Sequence, residues 1–365
     1  MKTGKSLVEL AQEIERQSAA KKDFIAPVSR LSASVETVND SSQVVLNLQG
    51  QDAFPLAPYA HGQMAQYLEI PKPYYDRMLV KSPDLLARSM NEWMRQDHQS
   101  DKRMVRTMDG RVRAVLSDRY RALDNGYLAD AVMPILNDLN LIVLSSEITE
   151  RRFYIKAVDS SIQKDLPEGF SMGDGSHHIF DTVAPAIVIS NSEIGAGSIS
   201  IETSIFTRAC TNLATFGATL RKYHTGARAE LSDEVYALLS DRTKSATDQA
   251  MWLQTRDLVK AAFDEAKFES LTTKLIAARS DKIEADVIEV IERATKTFTW
   301  TNPEKSAVLQ NLIKGGDLTR YGLHAAVTRT AEDIGDYDRA SDFERLGGQI
   351  IELPRTQWQE LALAA

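Results

Sequence analysis

The chain has 365 residues, 43% of them hydrophobic and 26% charged, with a formal net charge of -8 and one cysteine. That length and apolar content can bury the core of one large domain or two ordinary ones, and a single Cys excludes an internal disulfide framework and suits a reducing cytosol. The start, MKTGKSLVELAQEIERQ, lacks the apolar stretch and cleavage site of a secretory signal, and no apolar run reaches spanning length, so a cytoplasmic protein with no membrane partner is expected.

Ser6 and Glu9 have capping-box spacing, and Leu7, Leu10 and Ile14 follow at helical period, which predicts a first helix ending near Lys21. A polar stretch then reads as a linker, so residues 1–40 form an N-terminal helix and linker. QVVLNL opens an α+β core over 41–230 as a strand. Between Pro55 and Leu79 two helices are split by Pro71 and Pro73, with Met64, Tyr67, Leu68 and Ile70 packing a helical corner rather than presenting a DNA-reading helix.

From residue 101 the texture changes. Asp109-Gly110 lies between alternating segments, a hairpin signal, and residues 101–122 carry seven Lys or Arg against three Asp. Alternation puts Arg111 and Arg113 on one face, and Arg119, Tyr120 and Arg121 follow. A helix over Tyr127–Asn137 and strands LIVLSSEI and RRFYIKAV lead to a second hairpin around Gly195-Ala196-Gly197. The stretch 204–229 then holds Arg208, Arg221, Lys222, Tyr223, His224 and Arg228 without one acid. Ser232, Asp233 and Glu234 have the chemistry of a cap for a long helical region to about residue 268, and Asn302-Pro303-Glu304 and Gly315-Gly316 start and end a later helix. The fold class expected is α+β: the two hairpins share one antiparallel sheet with helices on one side, and residues 231–365 are mainly helical.

Most enzymatic motifs are missing. There is no phosphate-binding Gly-rich loop before a Lys-Ser/Thr pair, no G-x-S-x-G elbow and no second Cys for a thiolate zinc site, so no cofactor is expected. His177, His178 and Asp181, with Asp174 nearby, would chelate a metal only from a loop, because neighbours on a strand face opposite ways. Cys210 near His224 has the elements of a nucleophile and base, but a lone Cys is more often a buried apolar group, and Asn212 fits a backbone hydrogen bond at a strand junction.

The segments RAVLSDRYRALDN, NSEIGAGSISIETSIFTRACTNLATFG, RKYHTGA and RYGLHAAVTRTAEDIGDYDRASDFERLGGQIIEL resemble successive blocks of the phage and plasmid family catalogued as domain of unknown function 932. The shared positions are Leu116, Ser117, Tyr120, Arg121, Asn191, Ser192, Glu193, Cys210, Asn212, His224 and Thr225. The resemblance covers most of residues 50–350; His324 departs from it, since many relatives have Asn there. It implies carriage on mobile elements and an association with their DNA.

The leading expectation is therefore a nucleic-acid-binding protein of phage or plasmid DNA metabolism, with single-stranded DNA favoured, annealing as one form of the activity and a homo-oligomer compatible with it. The phosphate contacts would come from Arg111, Arg113, Arg119, Arg121, Arg208, Arg221, Lys222 and Arg228, with Tyr120, Tyr223 and His224 beside them. Two alternatives stand: a metal-dependent hydrolase or nuclease using Asp174, Asp181 or Glu193, and a non-catalytic structural or host-interaction protein.

Overall fold

The computed structural model describes residues 1–38, 41–167, 182–208, 212–222 and 240–363. The first helix, α1 (Leu7–Ala20), has the reciprocal Ser6–Glu9 capping box. The expected linker is instead two strands, β1 (Lys22–Pro27) and β2 (Leu31–Val38), followed by β3 (Ser41–Leu48) and β4 (Ala53–Pro55). In β2, Leu31 and Ala33 are buried while Ser32 between them is exposed, so the polar residues of this stretch form the wet face of a strand.

Helices α2 (Pro58–Tyr67), α3 (Lys72–Lys81) and α4 (Pro83–Asp97) come next, each with proline in its first turn, where no amide hydrogen bond is lost. Strands β5 (Lys102–Met108) and β6 (Arg111–Ser117) follow, then α5 (Asn125–Asp138), β7 (Ile142–Ile148), β8 (Phe153–Val158), β9 (Lys164–Asp165), β10 (Thr182–Asn191), β11 (Ile199–Thr207) and β12 (Asn212–Lys222). From residue 240 the described residues are mainly helical: α6 (Asp241–Ala261), α7 (Glu265–Ala278), α8 (Val287–Phe298), α9 (Asn302–Gly315), α10 (Arg320–Asp333), α11 (Tyr337–Glu352) and α12 (Arg355–Ala362). The Thr301–Glu304 capping box starts α9 and left-handed Gly316 ends it. Residues 232–234 lie outside the described residues. No described helix is long and apolar enough to cross a membrane.

The fold is α+β with antiparallel sheets, but the two hairpins do not share one. β5–β6 belongs to a sheet ordered β1-β5-β6, whereas β10–β11 lies in a central sheet ordered β12-β11-β10-β8-β7, with β9 beside β10. A third sheet is β2-β3-β4. Tight turns fix only which strands are neighbours, and membership of a sheet depends on partners far along the chain.

Helices also cover both faces of the central sheet rather than one. Phe153, Ile155, Ile187 and Ile189 pack with Leu10 of α1 and Leu128 and Ile135 of α5, while Tyr154, Ala186 and Val188 pack with Tyr337 of α11. Every residue of β8 is consequently buried. A separate core joins α2, α3 and α4 to the two smaller sheets, with Met64, Leu68 and Ile70 inside it.

Candidate nucleic-acid interface

The β10–β11 turn lies at one end of the central sheet. Strand pairing places other features at that end: Phe153 lies opposite Asn191 and Ile148 opposite Phe153, so the β7–β8 turn with Arg151 and Arg152 is there. Arg221 lies opposite Ser200 and Lys222 opposite Ile199, so β12 finishes there as well. Gly195 makes the turn in the left-handed region, φ 80°, and a Cβ on it would stand 2.8 Å from Leu116.

The same turn docks on the β1-β5-β6 sheet. Gln63 of α2 joins the two, donating to the Ile194 carbonyl at 2.8 Å and accepting from the Val115 amide at 2.9 Å. The Tyr120 hydroxyl donates to the Ser192 carbonyl at 3.0 Å, and Asn191 donates to the Leu123 carbonyl at 2.8 Å. The blocks RAVLSDRYRALDN and NSEIG are thus in contact, although about seventy positions separate them along the chain.

Beneath the contact lies a network of alternating charge. Arg106, 0% exposed, bonds Asp23 through two nitrogens at 2.8 and 2.9 Å, Asp124 at 2.9 Å and the Glu193 carbonyl at 2.7 Å. Lys21 reaches Asp124 at 2.6 Å and Glu193 at 3.6 Å, Arg113 pairs with Glu193, and the Asn125 amide donates to Glu193 at 2.7 Å. Burial acts to raise the Asp124 carboxyl, but Arg106 and Lys21 outweigh it and hold that group below the usual carboxylate range. Three cations face three carboxylates, so the network is self-compensated and acts as a joint between sheets. A pocket of about 220 Å³, lined by Gln17, Lys21, Asn125 and Asp130 among others, opens above it.

The basic residues expected to line one groove separate into groups. Arg111 and Arg113 do not share a face: the register shifts between the Arg106–Ala114 and Thr107–Val112 pairs, leaving Arg113 as the extra residue of a bulge. Arg113, 8% exposed, turns to Glu193, while exposed Arg111 lines a different groove with His61 and Lys72. Arg208 follows the far end of β11, about 25 Å of strand from Arg221, and donates to Gln163 at 3.1 Å. Tyr120 packs with Ala114, Leu116 and Ile194 in addition to its bond to Ser192, so its ring is a wedge in the joint. Arg119 is exposed and Arg121 half-buried beside it.

Tyr223, His224, Thr225, Arg228 and Cys210 lie outside the described residues, as do Asp174, His177, His178 and Asp181 of the metal reading; Asn212 and the cations Arg221 and Lys222 are placed by their strand alone. Glu193 has both carboxylate oxygens engaged, one by Arg113 and the other by the Asn125 amide and Lys21, which suits anchoring better than metal ligation. Residues that pattern alone does not single out are Lys21, Asp23, Tyr59, Arg106, Asp124, Arg151 and Arg152. The doubled arginine opening RRFYIKAV was the available signal for the last two. Comparison with protein-family models, curated proteins and solved structures finds no match to this chain.

Proposed function

We propose that this protein binds nucleic acid, single-stranded DNA in particular, across the turn end of its central sheet, in the cytoplasm and as a homo-oligomer along the strand. One observation carries the reading: the β7–β8 turn with Arg152, the end of β12 with Arg221 and Lys222, and the connection bearing Arg119 and Arg121 lie beside the β10–β11 turn. A polyanion is held by such local convergence of cations whatever the net charge, and the acidic remainder of the chain opposes indiscriminate binding. The resemblance to a phage and plasmid family supports the same partner.

The test is fluorescence anisotropy with labelled single-stranded DNA, duplex DNA and RNA at 50 and 200 mM salt, beside size-exclusion chromatography. Single strands bind most tightly, affinity falls steeply with salt, and the protein elutes larger with DNA. Absence of binding to all three probes at low salt overturns the reading, and turnover of the probe with a divalent ion replaces it with the hydrolase.

A further inference from the structure

Resting on that reading, we infer that Arg152 and Tyr59 form a one-nucleotide seat, the arginine taking a backbone phosphate and the tyrosine ring the face of the adjoining base. Arg152 is fixed in place before any ligand arrives. Its Nε and Nη2 donate to the Ala196 carbonyl at 3.2 and 2.8 Å, and no carboxylate pairs with it among the described residues. Its neighbour Arg151 is already committed to Asp338 at 3.0 Å. A Cβ on Gly197 would lie 3.3 Å from three atoms of the Arg152 guanidinium, so the turn is shaped to the arginine. A cation anchored by a neutral acceptor keeps its charge for a partner and loses little side-chain freedom on binding.

Tyr59, at the start of α2, packs half-buried in the same cluster as Ala196, the residue whose carbonyl holds Arg152. Burial pushes the Tyr59 hydroxyl up, with Arg152 and then Arg151 acting against that, which places the phenol within their field. One side of Tyr59 borders an open groove of about 500 Å³ over α2, with Gly62, Gln66, Ile70 and Lys72. Its wall is mainly apolar, which suits the face of a base; its cation Lys72 is paired with Asp76, so the phosphate falls to Arg152. Base stacking is indifferent to sequence, so the seat fits single strands of any composition and excludes duplex, whose bases are already stacked.

The experiment uses the full chain and labelled oligothymidylate. Arg152→Gln retains a donor for Ala196 but removes the charge; it lowers the salt slope by about 0.7 and weakens binding about fivefold at low salt. Tyr59→Leu weakens binding about tenfold with the slope unchanged, while Tyr59→Phe, which keeps the ring, binds as wild type. Circular dichroism and thermal melts show each variant folded; should Tyr59→Leu not fold, a Tyr59→Phe protein that loses affinity overturns the seat instead. Wild-type affinity and slope in folded Arg152→Gln, or wild-type affinity in folded Tyr59→Leu, overturns the seat and leaves nucleic-acid binding intact. No binding by the wild type removes both.

Discussion

Arg106 directs its guanidinium at partners 83, 18 and 87 positions away, Asp23, Asp124 and the Glu193 carbonyl. Replacing it with Ala leaves two carboxylates and a carbonyl facing one another at the joint, a change that costs about 3–5 kcal/mol. Urea unfolding of Arg106→Ala measures this, and a loss below about 1 kcal/mol contradicts the joint. His324 shows the opposite balance: burial lowers its pKa to about 4, and Nδ1 shares a hydrogen bond with the Gly347 carbonyl at 2.9 Å. A folded pKa below the unfolded one makes its stabilisation complete above about pH 6.5 and lost as pH falls toward 4, about 2 kcal/mol by pH 5. Asn keeps a donor and does not titrate, so His324→Asn flattens the fall in melting temperature between pH 7 and pH 5; an unchanged profile rejects the assignment. The Ser6–Glu9 box was legible because its two residues are three apart, whereas nothing local announces Arg106, whose acceptors are brought to it by the fold.

The turns were legible at the scale of elements because their chemistry is local: Asp109 and Gly110 both take positive φ, as a tight hairpin requires. The bulge in β6 was not, since an extra residue shows only against the partner strand, and it reverses the inference that Arg111 and Arg113 project together. In β2 the alternation of Leu31, Ala33 and Val35 with Ser32, Ser34 and Glu36 was present in the sequence, but its hydroxyl residues resemble a linker when the burying partner is unknown. Helix α11 meets β12 through glycine: a Cβ on Gly348 would lie 2.0 Å from the Thr215 carbonyl oxygen, which is backbone and has little room to yield. Gly348→Ala therefore costs about 2–3 kcal/mol by denaturant unfolding; a neutral result shows that the helix can move off the strand. Arg221→Ala with Lys222→Ala, on a strand end paired through its backbone, lowers the salt slope of DNA binding by between one and two units without unfolding the protein. An unchanged slope removes β12 from the interface.

Across the whole molecule, the β7–β8 turn and the end of β12, each bearing arginine or lysine, lie at the turn end of the central sheet, and the joint at Glu193 ties that end to the smaller sheet. Two sequence blocks about seventy positions apart meet there as well, Tyr120 on the Ser192 carbonyl and Asn191 on the Leu123 carbonyl. Tyr120 and Glu193 stood out in the sequence by their motifs, whereas the doubled arginine Arg151–Arg152 was visible only as a pair of cations whose place depends on strand pairing. Arg208 stands at the other end of β11 and serves as the internal contrast. Photocrosslinking of bromodeoxyuridine-substituted single-stranded DNA, followed by mass spectrometry of the joined peptides, locates the nucleic acid directly. The account predicts crosslinks in peptides spanning residues 149–153 and 192–198 and at Tyr59, and crosslinks confined to the Arg208 end of the sheet, or none from a bound complex near the β10–β11 turn, would contradict it.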